Sequence, residues 1–327
     1  MKHLTFAATA ACLAIGALTY GSSALAQAYP QQRPISLIVG YAPGGPVDTS
    51  ARTFARYLGD KLGQTIVIEN RSGASGIIGA QYVARADADG YTLYFGASPT
   101  MTMSPLVQRS TNFDPRTTFT PIGLVVNYTN VLLVGNDFPA KTVAELIDYA
   151  KANPQAVSFG SAGVGASNHL SAELLKRKSD APMLHVPYRG NSPAMIDVLS
   201  GKVSFMFDIS STAKVFVDGG KARALGVTSR ERNAGLPDVP TMIEAGVPDF
   251  DVTGWYAVLA PKGTPGDVQQ TLLKAVTAVT EDPEFRKNME EGGYTLLKPN
   301  PAELQTRIET EYALWKDVIE SANITAD

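Results

Sequence analysis

Two glycine-rich stretches of the sequence combine a flexible backbone with small polar side chains. The first stretch is Gly40–Ser50, GYAPGGPVDTS, and the second is Gly160–His169, GSAGVGASNH. Each lies between a short apolar run and a segment with helical periodicity. A junction between a strand and a helix directs free backbone N–H groups, together with the positive end of the helix dipole, towards one point. Such a point suits a carboxylate or another small anion without a lysine or arginine beside it.

A simpler interpretation is that each stretch only makes a tight turn and caps a helix. Asp48 or Thr49 could cap the first helix, and Ser167 or Asn168 could cap the second. For either stretch taken singly, the sequence leaves this interpretation open. Two such stretches at matching places in two units favour a shared cleft.

Nucleotide-binding motifs are incomplete in the second stretch. The spacing over Gly160–Ser167 fits a P-loop, but Ala166 stands where that motif requires lysine. Gly163 and Gly165 begin a dinucleotide-binding fingerprint, but Asn168 stands at its third glycine position. We therefore expect no nucleotide and no other cofactor.

Few residues could carry out catalysis. After the N-terminal segment the chain has only two histidines, His169 and His185, and neither belongs to an H-E-x-x-H zinc motif. The alternative function is an exported serine hydrolase that uses Ser98 or Ser161 with one of these histidines. The stretch Gly96–Thr100 lacks the second glycine of a G-x-S-x-G nucleophile turn. We therefore expect no enzyme activity and no metal site.

The two stretches must be positioned by an alternation of short apolar runs and amphipathic segments. Residues 35–39, 66–68 and 92–95 predict strands, and residues 51–62 and 77–84 predict the helices between them. This order implies a parallel sheet wound with helices.

The same alternation restarts after Pro121, so the sequence predicts a second α/β unit. The chain passes between the units near residues 119–130, and periodicity does not show whether it returns. The further predicted strands are 131–134, 157–160, 183–187, 203–207, 222–228 and 256–260, and the further helices are 143–152, 168–177, 268–280 and 301–321.

The N-terminus predicts an export signal. Lys2 precedes an apolar run, Leu4–Tyr20, and Ala24–Ala26 has the A-x-A form of a signal-peptidase site. The run is short for a membrane span, which needs about 20 residues. Cys12, the only cysteine, lies inside this segment, so a lipoprotein is a minor alternative and the mature chain has no disulfide. We expect residues 1–26 to be removed.

Charge and composition restrict the possible partners. The chain has 28 Lys and Arg against 31 Asp and Glu, and loss of Lys2 with the signal changes the net charge from −3 to 27 − 31 = −4. There is no basic stripe, which argues against a nucleic-acid partner. With 29 glycines, 21 prolines and only 18% charged residues, the composition indicates tight loops on a well-buried α/β core.

Several motifs, in their order along the chain, resemble the tripartite tricarboxylate transporter receptors, also called the Bug solute-binding proteins. The resemblance extends from Tyr29 to the C-terminus. The motifs that carry it are APGGPVD at 42–48, ENRSGASG at 69–76, DGYTL at 89–93, HVPYRG at 185–190, MFD at 206–208, LPDVPT at 236–241, GWY at 254–256 and APKGTP at 260–265.

The resemblance implies an α/β, type II periplasmic-binding-protein fold, with two lobes of wound, mainly parallel sheets around a central ligand cleft. Residues 27–127 and 250–327 would form the first lobe, and residues 128–249 the second. It also implies a monomeric periplasmic protein that closes on a small carboxylate, such as a dicarboxylate, an acidic amino acid or an aromatic acid. The large and small membrane subunits of a tripartite permease would receive the ligand. A ligand-sensing co-receptor with the same pocket is a further alternative.

The resemblance also implies which residues form the ligand site. Tyr188 and Asp208 would lie near the distal end of the ligand, where an ionised Asp208 repels a second carboxylate and accepts an ammonium or hydroxyl group. Ser98 follows the third strand and belongs to the same site. Two facing walls come from the glycine-rich stretches: Tyr41, Pro43, Gly44, Gly45, Asp48 and Thr49 from the first, and Ser161, Ala162, Gly163, Ser167 and Asn168 from the second.

Two stretches depart from the family pattern. Relatives carry a histidine and small polar residues after the third strand, where this chain has Ser98–Met103, SPTMTM. Asp208–Ser211, DISS, stands in place of Asp-Asn-Leu-Pro. Pro99, Met101 and Ile209 make the predicted pocket more apolar, which favours an aromatic or medium-chain carboxylate.

Overall fold

The structure is a computed structural model that describes residues 29–108 and 111–321. The predicted signal segment, residues 1–26, lies outside the described residues, and so does Cys12. Within the described part of the chain, no helix is both long enough and apolar enough to cross a bilayer.

Strands and helices alternate along most of the described chain. The strands are β1 (Ile35–Val39), β2 (Ile66–Asn70), β3 (Thr92–Ala97), β4 (Phe119–Gly135), β5 (Ser158–Ser161), β6 (Leu184–Pro187), β7 (Phe205–Ile209), β8 (Ala222–Val227), β9 (Thr253–Pro261) and β10 (Thr295–Leu296). The helices are α1 (Pro46–Leu62), α2 (Ile77–Ala84), α3 (Ser98–Thr102), α4 (Ser104–Val107), α5 (Val143–Ala152), α6 (Ser167–Ser179), α7 (Asn191–Leu199), α8 (Ser210–Asp218), α9 (Gly266–Thr280), α10 (Pro283–Glu291) and α11 (Pro301–Ser321).

Two groups of parallel strands form the first and second lobes. In the first lobe β1 lies between β2 and β3, parallel to both. In the second lobe β5 lies between β6 and β7, again in parallel. The crossover helices cover the sheet, and this confirms the predicted α/β fold class.

Antiparallel strands join the two groups into one sheet with the order β2-β1-β3-β9-β4-β7-β5-β6. β4 is 17 residues long, and it pairs with β9 over its first part and with β7 and β8 over its second part. β9 also pairs with β3, so the chain returns to the first lobe, which periodicity did not show. The lobe boundaries at residues 127 and 250 remain predictions.

The sequence pattern missed α7, α8 and α10, and it found only the second part of β4. Pro121 and Gly123 interrupt the first part of β4, and both residue types normally weaken a strand assignment. In α8, Thr212, Val215 and Val217 have low helix propensity, so packing against β4, β7 and β8 rather than local preference holds this helix in place.

Candidate ligand-binding site

A small cavity lies between the two lobes, at the carboxyl ends of their parallel strands. This is the position where ligands bind in α/β sheets of this type. With the lobes in this position the volume of the cavity is only about 10 Å³, which is room for about one water molecule. Its lining residues are Tyr41, Val47, Ala97, Pro99, Tyr128, Ala162, Ala166, Ser167, Asn168, Asn191 and Ile209.

Four helices of at least two turns begin at this cavity. Val47 lies in the first turn of α1, Ser167 and Asn191 are the first residues of α6 and α7, and Ile209 directly precedes α8. The first four N–H groups of a helix have no partner within the helix, and the helix dipole is positive at that end. No lysine or arginine lines the cavity. Its positive potential therefore comes from backbone groups.

The first glycine loop, residues 40–45, is held in shape by Asp48. This side chain is 2% exposed, and it accepts hydrogen bonds from Gly44 N at 2.9 Å, Asn70 Nδ2 at 2.8 Å and Arg52 Nε at 2.9 Å. Burial acts to raise the pKa of Asp48, but these hydrogen bonds outweigh it, so the pKa lies below its usual value. Asp48 therefore orients the loop and has no carboxylate oxygen left for a ligand.

Only Tyr41 among the six residues predicted in the first wall lines the cavity. Pro43, Gly44 and Thr49 are exposed to solvent and lie outside the lining. Gly45, not Asp48 or Thr49, is the N-cap residue of α1. The cap prediction was wrong because α1 begins at Pro46, five residues before the predicted start at residue 51, and the ligand role of this wall stays a prediction.

Three of the five residues predicted in the second wall line the cavity: Ala162, Ser167 and Asn168. Asn168 is the most constrained, because its Oδ1 accepts hydrogen bonds from Ala162 N at 3.1 Å and from His169 N at 3.0 Å. Ser161 and Gly163 lie behind this surface. The N-cap of α6 is Ala166, so neither of the predicted caps occupies that position.

The three remaining predicted residues lie outside the cavity lining. Ser98 is fully buried and accepts a hydrogen bond from Trp255 N at 3.2 Å. The Tyr188 hydroxyl donates to Asp197 at 2.8 Å, away from the cavity. Asp208 is 1% exposed and lies behind Asn191 and Ile209, with its oxygens already hydrogen-bonded. Asp208 therefore does not line the cavity, and its place near the distal end of the ligand stays a prediction.

Tyr128 and Asn191 are lining residues that the sequence pattern missed. Tyr128 lies in the part of β4 that the pattern did not recognise as a strand. Asn191 begins α7 directly after Gly190, whose φ is +152°. Gly190 makes a third junction between a strand and a helix, after β6, and this was the signal in the sequence that could have revealed Asn191.

The lobes contact each other around the second glycine loop, residues 160–166. Ser75 Oγ donates to Val164 O at 2.7 Å, Ser104 Oγ donates to Gly165 O at 3.2 Å, and Gln108 Nε2 donates to Val164 O at 3.1 Å. These donors come from the first lobe and the acceptors from the second. The structure therefore shows the lobes in a closed arrangement.

Comparison with known proteins identifies the family of the chain. The sequence model of the tripartite tricarboxylate transporter family receptor matches residues 50–324, which is most of the chain. The chain belongs to this receptor family. Its members include solute-binding proteins of the Bug group, so the predicted family is confirmed.

Three solved structures illustrate how closely this receptor resembles its relatives. The periplasmic binding protein BugD is 36% identical, with 90% of this chain and 99% of BugD covered and a TM-score of 0.87. Rpa4515 of Rhodopseudomonas palustris with adipate is 35% identical, with 91% and 99% covered and a TM-score of 0.88. MatC from the same organism, with bound malate, is 32% identical, with 88% and 99% covered and a TM-score of 0.84. These relatives are two-lobed solute-binding proteins.

Two stacked histidines support the second glycine loop of this receptor. The ring centroids of His169 and His185 lie 4.0 Å apart, and the Phe159 ring stacks on His185 at 4.9 Å. His169 Nδ1 accepts a hydrogen bond from Gly165 N at 3.1 Å, and His185 Nε2 lies 2.6 Å from Ser161 Oγ. The two imidazoles therefore hold both ends of the loop.

The contact between Ser161 and His185 has the spacing of a serine–histidine pair in a hydrolase. A nucleophilic serine must meet its substrate, and its base is normally oriented by a third group. Ser161 is fully buried, and its Oγ is also 3.2 Å from Gly163 N. Among the described residues, no carboxylate forms a hydrogen bond with His185. The geometry supports a loop-holding role for this pair. The other predicted hydrolase serine, Ser98, binds the backbone of β9.

The histidines make folding sensitive to acid. Burial lowers the pKa of His169 to about 3, with a further contribution from the adjacent His185. Burial likewise lowers the pKa of His185 to about 4. Both rings are therefore neutral at pH 7, and Nδ1 of His169 is free to accept from Gly165.

We expect the free energy of unfolding to fall as the pH decreases from about 6.5 to about 4. The unfolded chain binds protons on these histidines near their ordinary pKa of 6.5, whereas the folded chain does not, so acid favours the unfolded state. Each histidine accounts for at most about 2.6 kcal/mol by pH 4.5, so the expected loss for the pair is at most about 5 kcal/mol. Urea denaturation at a series of pH values measures it.

Two substitutions at His169 separate protonation from packing. His169→Asn keeps an acceptor for Gly165 N but does not titrate in this range, so it should reduce the pH dependence. His169→Leu removes the acceptor and should lower stability at every pH. If His169→Asn kept the full pH dependence, the histidine would not be its source.

Proposed function

We propose that the protein is a periplasmic receptor that captures a small carboxylate between its lobes and delivers it to a tripartite membrane permease. The single observation that carries this proposal is the cavity at the start of α1, α6, α7 and α8, with no basic side chain in its lining. Backbone N–H groups at helix N-termini bind anions. These N–H groups can hold a carboxylate by hydrogen bonds alone, without reacting with it.

Lobe closure is the proposed means of capture. We assign residues 27–127 and 250–327 to the first lobe and residues 128–249 to the second. β4 and β9 run side by side across the junction and would act as hinge strands. The contacts from Ser75 and Ser104 to the second glycine loop would form on closure and break on release.

The lining of the cavity favours a ligand with an apolar middle section. The side chains of Val47, Ala97, Pro99 and Ile209 are hydrocarbon, whereas the polar side chains in the lining are Tyr41, Tyr128 and the residues at the helix starts. Adipate has four methylene groups between its carboxylates, and malate has a hydroxyl group in that position. Two relatives are solved with these ligands. We propose a medium-chain dicarboxylate or an aromatic acid for this receptor.

We expect one of a small set of carboxylates to raise the melting temperature by about 4–8 °C at a hundredfold excess over its Kd. The panel is adipate, malate, glutamate and benzoate, with neutral adipamide as the control for charge. The protein is first unfolded and refolded to remove any ligand that co-purified. Adipate or benzoate should give the largest shift. Isothermal titration then measures the affinity, and a lack of any shift with all four carboxylates would refute the proposed function.

A further inference from the structure

Two asparagines, Asn168 and Asn191, form a polar surface of the cavity that we call the amide wall. An asparagine side chain has two N–H donors on one atom and a carbonyl acceptor on the other. A wall of this kind therefore offers either donors or acceptors, and the choice depends on how each amide is turned. The surrounding hydrogen bonds determine the orientation.

Backbone groups determine the orientation of Asn168. Its Oδ1 accepts from Ala162 N and from His169 N, and a backbone nitrogen can only donate. The Nδ2 group must therefore lie on the other side. There it donates to Asn191 Oδ1 at 3.4 Å, which places the carbonyl of Asn191 towards Asn168.

Asp208 determines the orientation of Asn191 through the nitrogen of its side-chain amide. Asp208 Oδ1 accepts from Asn191 Nδ2 and from Ile209 N, and Oδ2 accepts from Thr212 Oγ1 at 2.6 Å. Burial raises the pKa of Asp208, and the hydrogen bonds from Thr212, Asn191 and Ile209 oppose this rise by favouring the ionised form. Asp208 Oδ1 also receives the Ile209 N–H, and a backbone nitrogen can only donate, so this oxygen is an acceptor and the amide nitrogen of Asn191 must face it.

Both carbonyl groups of the amide wall are thus occupied inside the second lobe. Asn168 Nδ2 already donates one N–H to Asn191, and Asn191 Nδ2 donates one N–H to Asp208. What remains for the cavity is the second N–H of Asn168 and of Asn191. A carboxylate can accept from both, whereas a carboxamide of the same shape can place its own N–H groups against them.

We propose that Asp208 is a positioning residue that holds the amide wall in the orientation that selects a carboxylate over a carboxamide of the same shape. The inference rests on the proposed function, because it concerns the same cavity. Leaving a buried N–H opposite another N–H costs the binding energy of a hydrogen bond and its desolvation. Such sites discriminate strongly between ligands that differ in one polar group.

Substitutions of Asp208 test the proposal through ligand selectivity. The probes are adipate and adipamide, its diamide of equal chain length, and the measured quantity is the ratio of their Kd values. Wild-type protein should prefer adipate by at least about 100-fold. Asp208→Leu removes both oxygens and frees Asn191 to turn, so the ratio should fall at least tenfold, to about 10 or less.

Asp208→Asn separates positioning from charge. It removes the charge but keeps an oxygen that can accept from Asn191 Nδ2, so the ratio should stay within about threefold of wild type. Asp218→Leu replaces an aspartate at the exposed end of α8 and should leave the ratio of the two Kd values unchanged. If both Asp208 variants lost selectivity equally, charge alone would explain it. If Asp208→Leu kept the wild-type ratio, the amide wall would not depend on Asp208.

A measurement on the wild-type protein covers the case in which Asp208→Leu fails to fold. In a ¹H–¹⁵N spectrum of side-chain amides, the Asn191 pair is assigned by its loss in Asn191→Ser. One proton of that pair should be shifted downfield and exchange slowly with water, as expected for donation to a buried carboxylate. Two protons with the ordinary chemical shifts of an exposed asparagine amide, both exchanging rapidly with water, would overturn the proposal. If no carboxylate binds wild-type protein at all, the proposed function fails first, and the inference about selectivity falls with it.

Discussion

The Gly163→Val variant should bind its carboxylate at least about 100-fold more weakly than wild type, which corresponds to about 2.7 kcal/mol. Gly163 has a φ of +125°, a conformation that a β-branched residue cannot adopt without strain. A Cβ atom at this position would lie 2.7 Å from Ser75 Oγ of the opposite lobe. The side chain therefore distorts the second glycine loop and obstructs closure. Isothermal titration with the carboxylate that gives the largest thermal shift measures the loss.

A second glycine in the same lobe provides the matched control. Gly201 also has a positive φ, +75°, but a Cβ atom there would have no neighbour within 4 Å. Gly201→Val should therefore carry a similar backbone strain of about 1–3 kcal/mol in stability and leave the affinity unchanged. Unchanged affinity in Gly163→Val, or an equal loss in Gly201→Val, would show that the second loop is not part of the ligand site.

The Trp255→Ala variant should lower the free energy of unfolding by about 3–5 kcal/mol, because it removes the largest fully buried side chain from β9. The indole Nε1 of Trp255 donates to Glu311 Oε2 at 2.9 Å, and this contact joins β9 to α11. Its backbone N donates to Ser98 Oγ at 3.2 Å, which joins β9 to α3. The melting temperature should fall by about 10 °C, and calorimetry measures it.

Two other substitutions show which part of the effect comes from packing. Trp255→Phe keeps an aromatic ring but loses the N–H donor to Glu311, so it should cost only about 1–2 kcal/mol. Trp315, the other tryptophan of the chain, is only partly buried on α11, and Trp315→Ala should cost less than Trp255→Ala. Equal losses at both tryptophans would mean that burial on β9 is not the main cause.

Selectivity and acid sensitivity both depend on side chains behind the cavity. Asp208 and His169 do not line it, yet they fix the orientation of Asn168, Asn191 and the second glycine loop. The polar groups of the proposed ligand site are therefore backbone N–H groups and uncharged side chains. Such groups have few conformations of their own, so their precision must come from the side chains that pack behind them.

The order of motifs along the chain was sufficient to predict the family, and sequence patterns predicted the α/β class and the position of the two glycine loops. These features are local, because apolar periodicity, glycine spacing and turn residues act over a few neighbouring residues. The sequence also indicated an anion site without a basic residue, since strand-to-helix junctions have the same geometry wherever they occur. The family resemblance implied that Tyr41, Ala162, Ser167 and Asn168 belong to one site, and the structure brings these four residues together.

The packing of distant elements determines which polar groups are left for a ligand. Asp48, Tyr188 and Asp208 had the right chemistry for a binding site, but each side chain is hydrogen-bonded away from the cavity to a partner within its own lobe. Tyr128 and Asn191 entered the site because β4 crosses between the lobes and α7 begins beside α6. Local patterns carry no information on pairs such as Asn191 and Asp208, which are 17 residues apart. Their contact exists because α7 packs against β7 in the folded chain, so their role depends on packing that the sequence pattern does not record.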